Sequence, residues 1–269
     1  MKRTADRPAS LARGVQALEG GSVSLSGTAM ENATYIALSR EVALRRQMDV
    51  VANNLANIST PAFKGQTMLF KEYVAQLEGG ESMSYVQEDR AVRDMTEGPM
   101  TPTGGPLDLA IHGEGYFVVN TPLGPRYTRA GSLRIDATGQ IVTTDGHPIA
   151  NDQNRSIVVP ATSGEIIVAR DGTVSTPTGS IGRLQIVRFD DDQALREVAS
   201  GLFDADAAPQ PNPEAEIVQG MIEESNVQGV VELTRMMAIL RSYQSIQRML
   251  DNEHERERQA IGTITSSSS

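Results

Sequence analysis

The residues of this chain that could do chemistry are few and widely spaced. Its three histidines, His112, His147 and His254, have no second histidine within a helical turn, whereas a metal site on a helix needs two such ligands on one face. His112 and His147 stand beside glycines, where a turn residue is the simpler interpretation. The spacing therefore predicts no metal and no cofactor.

Other catalytic motifs are incomplete. The stretch HGEGYF, which begins at His112, leads into a β-type run, while a phosphate-binding loop needs the N-terminus of a helix to follow it. The acidic run Asp190, Asp191 and Asp192 lacks the spaced ligands and the glycine of a calcium loop, so we interpret it as a solvated turn. Cysteine is absent, which excludes a thiolate nucleophile and a disulfide. No catalytic residue is predicted.

Composition disfavours several kinds of partner. The net charge of −10 argues against an electrostatic grip on nucleic acid or anionic lipid, because both need clustered cations. No apolar run approaches the roughly 20 residues that span a bilayer, and the first residues lack the continuous apolar core of a secretory signal. Aromatic residues make up only 4% of the chain, fewer than small-molecule pockets usually use. We expect a scaffold that binds no nucleic acid and does not insert into a membrane.

Two helical patterns would position any site, and the first covers residues 35–58. Its apolar residues repeat at seven-residue spacing, as Leu44, Val51 and Ile58, with Met48 and Leu55 between them. Such spacing predicts a narrow, coiled-coil-like seam. An amphipathic helix that packs on its own domain would show the same stripe.

The second helical pattern lies near the other end of the chain. Leu233 and Leu240 are seven residues apart, and so are Met236, Tyr243 and Leu250. Two seam-bearing helices near the two termini suggest that the ends of the chain meet and pack side by side.

The sequence between the helical patterns changes period. From about 105 to 190, short β-rich runs such as YFVV, QIVTT and RLQIVRF recur between Gly-containing turn signals. This alternation predicts an all-β domain. The predicted fold class is therefore α+β, with paired N- and C-terminal helices, coiled-coil-like, and an inserted all-β domain.

Boundaries follow from changes in composition. We expect a flexible or mis-assigned leader, a terminal helical domain built from two separate segments, a β domain, a connector on each side of the β domain, and a flexible tail. In chain order these are 1–29 (leader), 30–75 (helical), 76–106 (extended connector), 107–203 (β domain), 204–216 (Pro- and acid-rich connector), 217–261 (helical) and 262–269 (tail).

The stretch NNLANISTPAFKG, residues 53–65, ends the first helical pattern abruptly. Pro61 disfavours the α region for Thr60, so the helix should end by about Ser59. The amides of Asn53, Asn54 and Asn57 could face water, hydrogen-bond a neighbouring helix or cap a frayed helix end, and the sequence leaves these alternatives open.

Three blocks of the chain carry a specific resemblance. They are MENATYIALSREVALRRQMDVVANNLANISTPAFKG, the central PLDLAIHGEGYFVV with PRYTRAGSLRIDATGQIVTTDGHPI, and GMIEESNVQGVVELTRMMAILRSYQSIQRML. Together they span residues 30–250, and they resemble the flagellar basal-body rod and hook family in the same order. The first block is most similar to proximal-rod members, with distal-rod members as the alternative. Ala62 departs from the family pattern, in which glycine is common.

The resemblance implies a structural subunit of the bacterial flagellar rod. In this family the terminal helices pack into an inner tube around the export channel, and the β domain forms an outer layer. The implied partners are copies of the chain, other rod proteins and the flagellar type III export apparatus, in the periplasmic part of the basal body. Asn53, Asn54 and Asn57 would lie at inter-subunit or channel-facing positions. The expected assembly interface comprises Leu44, Met48, Val51, Asn53, Asn54, Leu55, Asn57, Ile58, Leu233, Met236, Leu240, Tyr243 and Leu250.

Two other functions are alternatives to the rod subunit. Some rod-associated proteins carry a wall-degrading domain, which would need paired carboxylates or a metal in a pocket, and the sequence contains no such constellation. A soluble adaptor that uses the coiled-coil pair is the other alternative. It would have ordered ends as a monomer, whereas a rod subunit would have protease-labile termini on either side of a resistant β region.

Overall fold

The computed structural model of the protein describes residues 24–76, 82–160, 164–199 and 201–267. Two long helices, α1 (Ser24–Ala56) and α2 (Gly229–Ser267), lie near the ends of the chain, with all the strands between them. This arrangement confirms the α+β class.

The two helices run antiparallel. The Tyr243 hydroxyl of α2 donates a hydrogen bond to Glu41 Oε1 of α1 at 3.1 Å, and Asn54, in the last turn of α1, lies 3.4 Å from Glu232 in the first turn of α2. Glu232 also places negative charge at the positive end of the α2 dipole. The C-terminal half of α1 therefore lies beside the N-terminal half of α2.

The helices extend past their predicted limits. The first begins at Ser24, inside the expected leader 1–29, of which residues 1–23 lie outside the described chain. The second continues to Ser267, through most of the expected tail 262–269. Once a helix is nucleated, each further residue adds a hydrogen bond at little cost, so polar ends without strong breakers continue the helix.

A long hairpin corrects the prediction of an extended connector over 76–106. Strand β1 (Gln66–Gln76) pairs antiparallel with β2 (Ser82–Arg93), and Tyr73 lies opposite Tyr85. Strand β3 (Met100–Pro102) follows in the same segment. The glycines that seemed to break the segment separate two runs rich in strand-forming residues, whose backbone groups satisfy one another.

The remaining strands form what we call the β region, from β3 to β17. The bounds are β4 (Leu109–His112), β5 (Tyr116–Thr121), β6 (Gly124–Thr128), β7 (Leu133–Ile135), β8 (Ile141–Thr143), β9 (Ile167–Val168), β10 (Thr173–Thr176), β11 (Gly179–Arg183), β12 (Ile186–Arg188), β13 (Arg196–Ala199), β14 (Leu202–Asp204), β15 (Gln210–Pro211), β16 (Glu216–Gln219) and β17 (Met221–Glu223). A short 3₁₀ helix, Asp192–Ala194, precedes β13.

The sheets are antiparallel and small. The largest has the order β13-β14-β6-β5-β12-β15, and a three-stranded sheet has the order β11-β10-β9. Strand β16 pairs with β4, β17 with β3, and β7 with β8. The β region thus reaches beyond 203 and includes residues predicted as the connector 204–216 and as the start of the helical segment 217–261.

The pairing of β16 and β17 has a simple cause. The run EIVQGMIEE contains β-branched residues and lies far in sequence from its partners, so local patterns did not reveal them. Pairing with β4 and β3 satisfies its backbone groups and buries Ile217. The two ends of the β region therefore lie side by side, next to the points where α1 ends and α2 begins.

The core lies within the β region. Leu109, Ile111, Phe117, Val119 and Ile217 belong to one fully buried cluster. A second, aromatic cluster surrounds Phe189, whose ring centroid lies 4.8 Å from that of Tyr127 and 6.0 Å from that of Tyr116. Each fully buried aliphatic or aromatic side chain contributes about 1.5–3 kcal/mol, and neither cluster includes a residue of α1 or α2.

Candidate assembly interface

One face of α2 packs towards α1. Ile239 and Ile246 on this face are buried, and Met236, Tyr243 and Leu250 are half-buried. These five residues repeat at the spacing of a heptad seam. Three of the predicted interface residues, Met236, Tyr243 and Leu250, therefore lie on the face that the chain covers itself.

A separate face of α2 is apolar and open. Val230, Leu233, Met237 and Leu240 follow one another at spacings of three and four residues, and their exposed fractions run from 45% at Leu240 to 80% at Val230. Residues at this spacing share one side of a helix. We call these four residues the α2 stripe.

The sequence spacing predicts that Leu233 and Leu240 share one seam with Met236 and Tyr243. The structure separates them onto two faces. Val230 and Met237 were missed, although their spacing from Leu233 and Leu240 was readable in the sequence.

The predicted interface residues in and just after α1 also divide into buried or half-buried positions and an exposed one. Val51 is buried, and Leu44, Met48 and Leu55 are half-buried. Ile58 is exposed, yet it lies against the start of α2, since a Cβ added at Gly229 would lie 2.6 Å from Ile58 Cδ1.

A cleft opens between α1, α2 and β1. It has a volume of about 260 Å³ and is lined by Val50, Val51, Met68, Ala238 and Ile239, together with four polar residues. The lining is mostly apolar. The helix pair thus presents both a convex apolar stripe and a concave apolar cleft.

The asparagines of NNLAN have separate roles. The Asn54 amide donates to the Gln66 carbonyl at 2.8 Å, and its oxygen accepts from the Gln66 amide at 2.8 Å. Asn57 donates to the Asn53 carbonyl at 2.9 Å and accepts from the Thr60 hydroxyl at 3.0 Å, which closes the last turn of the helix. Asn53 itself is exposed. The buried Asn54 is therefore committed within the chain, as a clamp between α1 and β1.

Asn226 makes a second clamp of the same kind. Its side-chain oxygen accepts from the Gly65 amide at 2.8 Å. Its side-chain nitrogen donates to the carbonyls of Asp94 and Thr96 at 2.9 and 3.0 Å. It therefore ties the segment before α2 to both ends of the β1–β2 hairpin.

A cluster of three buried charges lies next to these clamps. Glu223 Oε1 accepts from Lys64 Nζ at 2.6 Å, and Glu223 Oε2 accepts from Arg129 Nε at 2.7 Å. The Glu223 side chain is only 1% exposed. We call Lys64, Arg129 and Glu223 the charge hub.

Lys64 and Arg129 determine the protonation state of the Glu223 carboxyl group. Burial alone would raise the pKa of Glu223, but Arg129 and Lys64 hold it below its ordinary value. The hub therefore contains an ionised carboxylate at neutral pH. Sequence reasoning missed it because the three residues come from three different blocks, although each block belongs to a motif that the family resemblance singled out.

The histidines do not come together. His112 lies 3.1 Å from Glu97 in an exposed pair. Over the described residues, no group of three or more His, Cys, Asp or Glu side chains could hold a metal ion. In the acidic run, Asp191 caps the 3₁₀ helix by accepting from the Gln193 amide at 2.9 Å.

No helix in the described part of the chain is both long enough and apolar enough to cross a membrane.

Three family models match the chain. The model for flagella basal body rod protein matches residues 35–64. The model for the flagellar hook protein FlgE/F/G D1 domain matches residues 110–176, and the flagellar basal body rod FlgEFG protein C-terminal model matches residues 218–263. The first and third matches fall on the helix pair and its joints, and the second falls on the β region.

Full-length relatives agree with these matches. Flagellar basal-body rod protein FlgF of Caulobacter vibrioides is 40% identical over 238 residues, which cover 86% of this chain and 97% of the relative. FlgF of Salmonella typhimurium is 31% identical, with coverage of 86% and 97%. FlgG of Bacillus subtilis is 30% identical, with coverage of 84% and 96%.

These matches define the class as structural proteins of the flagellum rather than enzymes. The chain belongs to the flagellar basal-body rod protein family. It is a structural subunit of the flagellar basal body.

Proposed function

We propose that this subunit polymerises through its terminal helices into the axial tube of the rod. The observation that carries the proposal is the α2 stripe, a row of apolar side chains that the chain leaves uncovered while the neighbouring face of the same helix packs on α1. Contiguous exposed apolar surface is the usual mark of a protein–protein contact.

The cleft between α1, α2 and β1 supports a specific geometry. A stripe on one subunit that enters the cleft of the next makes a head-to-tail contact, because the two surfaces are different patches of one molecule. Such a contact generates a helical filament when the rotation between successive subunits does not close a ring, and the proposed tube is of this open kind. In this proposal Leu233, Leu240, Ile58 and Asn53 face neighbouring subunits.

The other predicted interface residues have a supporting role in this proposal. They hold the helix pair in the form that presents the stripe and the cleft, in a coiled-coil-like manner, and the strands between the helices form an inserted domain on the outside of the tube. These residues are Leu44, Met48, Val51, Asn54, Leu55, Asn57, Met236, Tyr243 and Leu250.

Placement in the proximal rod is part of the proposal. It is supported by the FlgF relative of Caulobacter vibrioides, at 40% identity against 30% for the FlgG relative of Bacillus subtilis. The FlgG match favours the distal rod as the alternative. Copies of the chain and other rod proteins are the proposed partners. Passage through the flagellar type III export apparatus to the periplasm follows from the family resemblance.

The assembly proposal is tested by variants that change the stripe and the cleft without touching the core. Leu233→Asp and Leu240→Asp place charges on the stripe, and Ala238→Lys places one in the cleft; all three positions are exposed. Ser245→Asp and Ser245→Lys are matched controls on an exposed, polar part of α2. We expect the first three variants to be exported and folded but to leave cells non-motile with short rods, while the controls swim. Normal rods with all three variants would contradict the proposal.

Placement is tested by complementation. We expect the chain to restore swimming in Caulobacter cells that lack FlgF and to fail in cells that lack FlgG, at matched expression checked by blotting. The opposite pattern would assign the subunit to the distal rod.

A further inference from the structure

The charge hub lies where both helices join the β region. Lys64 follows the end of α1 at Ala56, and Glu223 closes β17, shortly before α2 begins at Gly229. Arg129 directly follows β6, in the largest sheet. The Glu223 carboxylate therefore connects the segment after α1 and the segment before α2 to the strands.

Every side-chain nitrogen and oxygen of the hub has at least one hydrogen-bond partner, and the hub reaches several segments. Lys64 Nζ also donates to the Thr96 carbonyl at 2.6 Å, and Glu223 Oε1 also accepts from the Gly98 amide at 3.0 Å. Arg129 donates to the carbonyls of Ile111, Gly113 and Gly115 at 2.9–3.0 Å. Charge-assisted hydrogen bonds from a planar guanidinium are directional, so the hub fixes angles as well as distances.

The backbone segments around the hub approach one another so closely that two glycines leave no room for a side chain. A Cβ added at Gly98 would lie 2.1 Å from the Glu224 carbonyl oxygen, and one added at Gly131 would lie 1.6 Å from the Leu109 carbonyl oxygen. Both separations are far below van der Waals contact. The segments that meet at the hub are therefore held at close backbone approach.

Stability alone is a weak explanation for such a cluster. Apolar residues of similar volume often replace a buried ion pair without loss of stability, and the best-attested role of buried polar groups is to specify one geometry. The clamps at Asn54 and Asn226 already attach the hairpin to the helices. Neither clamp contacts Arg129 or the strands that Arg129 holds.

We propose that Glu223 is a positioning residue that sets the orientation of the helix pair relative to the β region. Within a rod, this angle decides where the outer strands lie when the helices are packed in the tube. A torque applied through the helices would reach the β region through the same joint.

The test uses the absence of native cysteine. Cysteines at the exposed positions Ser245 of α2 and Thr144 of the β region take spin labels in the full-length, soluble subunit, and double electron–electron resonance gives their distance distribution. We expect a single narrow peak in the parent and a broadened or shifted one in Glu223→Gln. Glu224→Gln, an exposed neighbour, is the matched control and should leave the peak unchanged. A second label pair at Thr144 and Ser180, both within the β region, should give the same distance in every variant.

Glu223→Gln also leaves two buried cations without their counter-ion, so it lowers stability and could prevent folding. Lys64→Met is the second variant, because it removes the tie to the α1 side and leaves the Glu223–Arg129 pair balanced. We expect it to broaden the distribution while the thermal melt stays close to that of the parent. Parent-like distributions in the folded fraction of both variants would overturn the inference, whatever their melting temperatures. Because the measurement uses single subunits, it is independent of whether they polymerise.

Discussion

The β region and the helix pair bury their apolar residues to very different degrees. The β region contains a cluster of fully buried side chains, among them Leu109, Phe117 and Ile217. The helix pair is only two helices thick, and it buries a narrow seam while the α2 stripe stays open. A two-helix layer cannot enclose a core of its own. The β region is therefore complete within one chain, whereas the helix pair is completed by other chains in the proposed rod.

The largest expected effect tests whether the β region contains its own core. Phe117→Ala removes a fully buried ring from the main cluster and should lower the free energy of unfolding by about 3–5 kcal/mol. Urea titration of the purified subunit, followed by near-UV circular dichroism, measures it. Leu123→Ala, at an exposed position of the β5–β6 turn, should change the midpoint very little. An equal loss in both variants would mean that the strands do not carry the core.

The second prediction separates the two apolar faces of the helix pair. Val51→Asp buries an unpaired carboxylate between α1 and α2 and should cost more than about 3 kcal/mol, so the helices separate. Leu240→Asp, at the open stripe, should change the stability of the monomer by less than about 0.5 kcal/mol. Limited proteolysis with mass spectrometry should find cuts in α1 and α2 earlier in the Val51 variant than in the parent or the Leu240 variant, with the β region intact in all three.

These two variants differ further in the cell. Both should abolish swimming, but the Val51 variant fails because its helix pair is lost, and the Leu240 variant fails because a folded subunit cannot join its neighbours. Equal protease sensitivity of the two would contradict the division into a seam and a stripe.

The third prediction concerns pH at the joint between the two regions. At neutral pH, Glu223→Gln should cost on the order of 3 kcal/mol, since it leaves buried cations unpaired. The pKa of Glu223 is lowered in the folded protein, so the carboxylate's contribution is fully present above its unfolded-state pKa, about 4.3. It is lost as the pH falls through the folded-state pKa.

Urea titrations of the parent and of Glu223→Gln over a range of pH measure this loss. The difference between them should be constant from neutral pH down to the unfolded-state pKa and should shrink below it, while other groups cancel in the subtraction. A gap that stays constant into strong acid would mean that the carboxylate does not carry the interaction.

The sequence predicted the elements better than it predicted their contacts. The α+β class and the two terminal helices followed from seven-residue spacing, which is a local signal. The charge hub did not follow, because residues 64, 129 and 223 meet only through the pairing of distant strands. The same cause explains the β16 and β17 pairings, and the β1–β2 hairpin was missed because its glycines were interpreted as a break. The coiled-coil manner of helix packing stays a prediction.

The α2 stripe shows a subtler limit. Leu233, Met236, Leu240 and Tyr243 all obey the heptad spacing of one helix, and spacing cannot say which of two adjacent apolar faces meets α1. That choice depends on how α2 packs against α1 and β1, which is a tertiary contact. In the structure Ile239 and Ile246 take the buried face, and Leu233 and Leu240 stay exposed.

The smallest expected effect lies at Ala62, in the corner between the end of α1 and the start of β1. Ala62, which departs from the glycine common in the family, has φ of +58°, a left-handed conformation that costs a non-glycine residue roughly 1–2 kcal/mol. Ala62→Gly relieves this strain but adds unfolded-state entropy, about 0.5–1 kcal/mol, and removes a buried methyl group worth about 0.8 kcal/mol. We therefore expect a change in unfolding free energy of less than about 1 kcal/mol.

Ala62→Val, which forces a β-branched residue into the same conformation, should be clearly destabilising in the same urea titration. Comparable stability of the valine and glycine variants would show that the corner adapts and that its left-handed turn is not what glycine serves at this position.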